Sequence, residues 1–247
     1  MFRKKIAVTI AAALMTLSAS SAFAAFTDLE LIRVYYDRAG NEYATDLGKV
    51  KDLTAAGAST TIGGTYGSLA AGSSFAVYFA VDRATNELWA SGSTSTPSVI
   101  NGALSSMNSM KTGAGNVFNQ YGVSATTYVG LASAINSYKN KLSATQGTLN
   151  NAITAGTRLN TEVTLAQVIG SSTGSATQTL YYWAKGITSV AAEKIGVAAA
   201  TIVTNADGSA TIISTTAAAP TPIPPAFLLM GSGLLGMVGL RRKNKAA

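Results

Sequence analysis

Leu29-Glu-Leu-Ile-Arg-Val-Tyr-Tyr36 followed by Asp37-Arg-Ala-Gly-Asn41-Glu42, and Ser74-Phe-Ala-Val-Tyr-Phe-Ala-Val81 followed by Asp82-Arg-Ala-Thr-Asn86-Glu87, are two copies of one unit set 45 residues apart. In each copy a run rich in β-branched and aromatic residues meets a turn signal. A second short run follows, Tyr43-Ala-Thr in one copy and Leu88-Trp89-Ala in the other. Such side chains suit a pleated, half-buried surface. The aspartate opens the turn by bonding its own backbone two residues on, and Gly or Asn tolerates φ > 0. Each copy therefore predicts a β-hairpin. Ser74–Val81 places Phe75, Val77, Phe79 and Val81 on one face and two alanines with Tyr78 on the other, the pattern of a central strand covered on both sides.

The acids of the repeat admit a second reading, two carboxylate pairs for sugar hydrolysis or metal binding. A tight turn rarely sets two carboxylates across one substrate, and a duplicated hairpin explains the repeat by itself. On the turn reading, replacing Glu42 and Glu87 by glutamine is expected to leave the fold nearly unchanged. A third hairpin is expected where Val197–Thr204 and Ala210–Thr215 flank Asn205-Ala-Asp207-Gly208-Ser209, since Asp-Gly between β-branched runs is a strong signal. Those residues also look like half of a calcium loop, but the acid expected further along is missing.

The middle of the chain reads as helical. Thr96 can cap with Pro97 at the first helical position, and Ile100, Ala103, Leu104, Met107 and Met110 follow up to Gly113-Ala-Gly115. Tyr128, Leu131, Ile135, Tyr138 and Leu142 repeat at helical spacing, and Leu149 and Ile153 continue the phase. A shorter helix, Thr161–Ile169, and the aromatic run Leu180-Tyr-Tyr-Trp183 complete the region. The expectation is one α+β body over residues 25–215: an antiparallel sheet built from β-hairpins and covered by central helices.

The two ends carry different information. Met1-Phe-Arg3-Lys4-Lys5, the apolar run Ile6–Leu17 and Ala22-Phe23-Ala24 form an N-terminal signal peptide over residues 1–24, so the mature chain is expected to begin at Ala25. Residues 216–225 form a Pro-rich tether. Residues 226–240 are an uncharged C-terminal transmembrane segment. As a helix its fifteen residues span roughly 22 Å, a minimal crossing of a ~30 Å core. Arg241, Arg242, Lys243 and Lys245 form the membrane stop and hold the tail, residues 241–247, in the cytoplasm.

Pro222-Ile-Pro224-Pro225-Ala226, the Gly-rich apolar segment and the Arg-Arg-Lys stop together resemble the PEP-CTERM class of bacterial sorting signals, in a Pro-x-Pro variant. The resemblance covers about 28 of 247 residues. It implies an exosortase-like processing enzyme as partner and the inner membrane as the site held before processing. It further implies export in a Gram-negative bacterium to the cell surface or extracellular matrix, and it implies no catalytic activity.

Seven of the 18 Lys and Arg residues lie in the two terminal signals, so the body between them holds 11 basic and 11 acidic residues. The charge of +7 thus serves topology, and a nucleic-acid partner is not expected. The chain has no Cys and no His. Thiol nucleophiles, serine-protease triads and nearly all zinc sites are excluded, and no cofactor or metal is expected. The expectation is a noncatalytic envelope or matrix protein acting by self-association or adhesion. The alternative is a carbohydrate-binding module in which Tyr181, Tyr182 and Trp183 stack on exopolysaccharide, since three consecutive aromatics cannot all face inward on one strand or helix.

Overall fold

The computed structural model describes residues 26–69, 73–93, 99–102, 104–143, 146, 148–152, 161–169, 174–184 and 194–216. All lie in the compact unit that runs to Thr216. The body is a mainly antiparallel β-protein with few helices, which corrects the α+β expectation. The elements in chain order are β1 (Glu30–Asp37), β2 (Asn41–Lys49), α1 (Val50–Leu53), β3 (Ser59–Ile62), β4 (Ser74–Asp82), β5 (Glu87–Ser93) and β6 (Val99–Gly102). There follow α2 (Leu104–Tyr121), β7 (Thr127–Leu131), α3 (Tyr138–Lys141), α4 (Thr148–Ala152), β8 (Val163–Thr164), α5 (Leu165–Ile169), β9 (Ser175–Trp183), β10 (Lys194–Asn205) and β11 (Ala210–Ser214). Among these helices only α2 exceeds five residues. No helix among the described residues is long and apolar enough to cross a membrane. The expected signal peptide and transmembrane segment lie outside the described residues.

The sheet runs β3-β11-β10-β9-β5-β4-β1-β2-β7, with β6 paired to β10 and β8 to β4 off that path. All three expected hairpins form: β1–β2, β4–β5 and β10–β11 are antiparallel neighbours. The sheet curls into a half-barrel. The curl can be read from Arg33 on β1, whose Nη1 donates to Gly208 O in the β10–β11 turn at 3.0 Å. Four strand steps separate β1 from β10, roughly 19 Å in a flat sheet. An arginine side chain cannot span that distance, so the sheet must bend back on itself.

Curling divides the side chains into two buried sets. Ile32, Val34 and Tyr36 of β1, Val77, Phe79 and Val81 of β4, Leu88 and Ala90 of β5, and Tyr181 and Trp183 of β9 face outward. α2 covers them with Met107, Met110, Ala114, Val117 and Phe118, and Tyr138, Leu142 and Leu149 extend the cover. Leu31, Tyr78, Ala80, Trp89, Leu180, Ile202 and Ile212 face into the curl. β4 is thus buried on both faces, as its sequence predicts. Each large side chain buried this way stabilises the fold by roughly 1.5–3 kcal/mol.

The helical middle needs correction in three places. α2 begins at Leu104, and Ile100 belongs to β6; Thr96 and Pro97 lie outside the described residues. Gly113 and Gly115 do not end α2. A Cβ at Gly113 would sit 3.0 Å from Lys141 O, so this glycine lets the helix approach α3 closely. Most of Tyr128–Leu142 is not helical. Thr127–Leu131 is a strand on the free side of β2, with Tyr43 opposite Val129 and Asn41 opposite Leu131. Ile135, placed on the apolar stripe by spacing, is 76 % exposed. Thr126, Thr127, Val129, Gly130 and Ser133 are poor helix formers, and an open sheet edge competes successfully for them. Likewise Thr161–Ile169 is helical only from Leu165, after the short strand β8.

Candidate functional site

The sequence-derived positions separate into three groups. Ala22, Ala24 and Ala25 at the expected cleavage site, Pro222, Pro224 and Pro225 of the sorting motif, and Arg241, Arg242, Lys243 and Lys245 of the membrane stop lie outside the described residues. Tyr181 and Trp183 are buried in the outer core, at 1 % and 0 % exposure. Tyr182 points to the opposite face and stacks on Trp89 at 4.5 Å between ring centroids. Its hydroxyl donates to Glu87 at 2.9 Å. Burial, reinforced by that carboxylate, pushes the Tyr182 pKa up to about 12. The three aromatics alternate across the strand, two of them buried and Tyr182 half-buried against Trp89, so they offer no exposed row on which a sugar could stack.

The repeated acids are structural, and more so than a turn role requires. Asp37 accepts from Ala39 N at 2.9 Å, and Asp82 accepts from Ala84 N at 2.9 Å, the expected side-chain turn in both copies. Beyond the aspartates the copies diverge. Three residues join β1 to β2, and Glu42 lies opposite Tyr36. Four residues join β4 to β5, closed by Asn86 at φ 59, and Glu87 lies opposite Asp82. Opposed residues share a face, so one extra loop residue sends the two glutamates to opposite sides of the sheet.

Glu42 enters the outer core and is fully buried. Its carboxylate accepts from Tyr121 OH at 2.7 Å, from Tyr138 N at 2.9 Å and from Lys139 N at 3.1 Å. It therefore holds the first turn of α3 and the end of α2 against β2. Burial raises its pKa, and the three donors oppose that rise. Tyr138 continues the network, donating its hydroxyl to Glu162 at 3.2 Å. Glu87 faces the curl and pairs with Lys51 of α1 at 2.9 Å. Replacement of both glutamates is therefore expected to weaken the fold, where turn chemistry alone expects little change. Among the described residues no group of three His, Cys, Asp or Glu side chains could hold a metal ion.

Arg33 was given no role by its sequence context, an arginine inside an apolar strand. It is 1 % exposed. Besides Gly208 O it donates to Gly63 O at 2.9 Å and to Thr45 Oγ1 at 3.3 Å. Tyr35 also donates to Gly208 O, at 3.1 Å, and Tyr66 donates to Asn205 O. This group latches the third hairpin and the segment after β3 onto β1. A Cβ at Gly64 would sit 2.4 Å from Gly208 O, which leaves no room for a ligand beside the guanidinium.

The remaining surface feature is the pair of strands that end the sheet. β3 pairs only with β11 and β7 only with β2 among the described residues. Both are short, and neither carries a charged residue or a proline, two of the devices that usually guard an edge. The chain has no charged residue and no proline between Asp52 and Asp82, nor between Lys111 and Lys139. The two edges differ in side chains. Ser59, Thr60 and Thr61 of β3 are exposed and polar. Val129 and Leu131 of β7 are 64 % and 60 % exposed. Of the six large apolar side chains left exposed among the described residues, four (Val123, Val129, Leu131 and Ile135) lie in or beside β7. Helical spacing claims only Leu131 and Ile135 of these four, and Val129 shows its exposure only once β7 is seen as a strand. Known protein families, curated proteins and solved structures were all compared with this chain, and none matches.

Proposed function

We propose that this chain is a noncatalytic exported protein of the cell envelope or extracellular matrix whose body acts in surface assembly or adhesion. Its terminal sequences support export and a membrane-held stage before processing by an exosortase-like enzyme. The body supports contact rather than chemistry: it lacks His and Cys, and its two buried repeat glutamates are committed to holding helices and strands.

The observation that carries the reading is the sheet that ends on both sides in uncharged strands, each paired on one side only among the described residues. Unpaired backbone N–H and C=O groups at such edges accept another strand, and a body whose charges balance lacks the net repulsion that keeps secreted domains apart. Sedimentation velocity on the protein purified from the envelope fraction tests this. The expected result is a sedimentation coefficient that rises with concentration. A monomer at every concentration, or turnover in a broad hydrolase screen, would overturn it.

A further inference from the structure

We infer that the partner of β7 is the β7 strand of a second copy of this chain, joined antiparallel about a two-fold axis through Val129. This rests on the assembly reading and names the surface and the symmetry.

Thr126 O accepts from Asp46 N, and Ala132 N donates to Gly40 O, both at 2.9 Å. Backbone groups of even-numbered residues in this stretch therefore point toward β2. By the alternation of an antiparallel ladder, those of Thr127 and Val129 point to the open side. No register shift interrupts the β2–β7 pairing, so no bulge twists this edge away.

Strand count selects the symmetry. The path from β3 to β7 holds nine strands, each antiparallel to the next. An odd count makes β3 and β7 run in the same direction. A copy carried along the sheet without rotation would lay its β3 parallel to β7, the less stable pairing. A copy inverted to restore antiparallel order would join the inner face of one sheet to the outer face of the other. A two-fold axis normal to the sheet does neither: it sets β7 antiparallel to β7 with like faces aligned.

Side chains select the register. Val129 is the middle residue of β7, so only pairing centred on it overlaps the whole strand. Val129 then meets Val129 of the second copy, and Thr127 meets Leu131. These side chains share the face of Thr45, Tyr43 and Asn41, their partners on β2. The result is one apolar stripe running across both copies. The exposed side chains of the β3 edge are serine and threonine, with Ile62 partly buried, so that edge gains less from pairing.

The chain has no cysteine, so single introduced cysteines report contact without background. Val129→Cys and Thr60→Cys are prepared in the full chain, with thermal unfolding compared against wild type, and oxidised at equal concentration. Val129→Cys is expected to form disulfide-linked dimer about tenfold faster than Thr60→Cys, the ratio that ~1.4 kcal/mol of preferred pairing gives. A mixture of Thr127→Cys and Leu131→Cys is expected to cross-link, while Thr127→Cys alone is not. In the centred register its two copies stand roughly 14 Å apart, beyond disulfide reach. Equal rates for Val129→Cys and Thr60→Cys, a faster Thr60→Cys, or self-linking of Thr127→Cys would each overturn the inference. If the wild type self-associates but Val129→Cys does not link, the two-fold pairing is wrong and the assembly reading stands. If the wild type is monomeric and no variant links, both fall.

Discussion

The two Asp-Arg-Ala-x-Asn-Glu hairpins share five of six residues and the same aspartate turn, yet their glutamates do opposite work. Glu42 follows a three-residue loop and enters the helix-covered face; Glu87 follows a four-residue loop and enters the curl. The difference is a single residue of loop length, which in a structure of period two decides the face. Their arginines diverge as well: Arg83 binds Asp28 at 2.7 Å, and Arg38 lies 3.8 Å from Glu162. A repeat in sequence is therefore a repeat of turn chemistry, and the surroundings assign each copy its load.

The comparison breaks if the two acids prove equivalent. Glu42→Ala leaves Tyr121 OH and the N–H groups of Tyr138 and Lys139 without their acceptor inside the core, and is expected to cost about 3 kcal/mol. Glu87→Ala strands Tyr182 OH, but Lys51 is half exposed and finds water, so about 1–2 kcal/mol is expected. Urea unfolding of both variants under one set of conditions measures the gap, and equal losses would refute the assignment of faces.

A third acid sharpens the comparison through pH. Burial, with Asp46 and Asp52 nearby and Lys49 as partial counterweight, raises the Glu30 pKa from 4.5 to about 7. Between those values the folded state holds a proton that the unfolded chain has lost. Stability contributed by this group is therefore full below 4.5, falls as pH rises to about 7, and stays low above. Glu30→Gln is expected to stabilise by about 1 kcal/mol at pH 8 and by almost nothing at pH 4. Thermal melts at the two pH values decide it, and a gain confined to acid pH would contradict the sign. The smallest effect belongs to Asn86→Gly. Glycine adopts the positive φ of the longer loop freely, so only the contact with Lys111 Nζ is lost, a change within about 0.5 kcal/mol by the same melts.

What was legible in the sequence was local. β1, β4 and the three hairpins follow from residue type and turn chemistry, because those act over a few residues. What was illegible depended on partners far away in the chain. Tyr128–Leu142 carries helical spacing, but β2 stands ready to pair with Thr127–Leu131, and no local pattern announces an open edge 82 or more residues upstream. The donors to Glu42 lie 79 to 97 residues away, so its burial could not be read from the turn. Arg33 reaches a carbonyl 175 residues distant, and only the curl explains why an arginine sits in an apolar strand. The aromatic run was read correctly as unable to face one way. Tyr181 and Trp183 lie under α2 and Tyr182 packs partly buried in the curl, cover that comes from distant elements and not from the run's own sequence.

The claim that the body assembles through the β7 edge is tested most directly by hydrogen exchange on the purified protein over a range of concentrations. The account predicts that amides of Thr127–Leu131 exchange more slowly as concentration rises, while those of Ser59–Ile62 on the opposite edge keep one rate throughout. Exchange at Thr127–Leu131 that does not change with concentration, or protection that grows on Ser59–Ile62 instead, would contradict it.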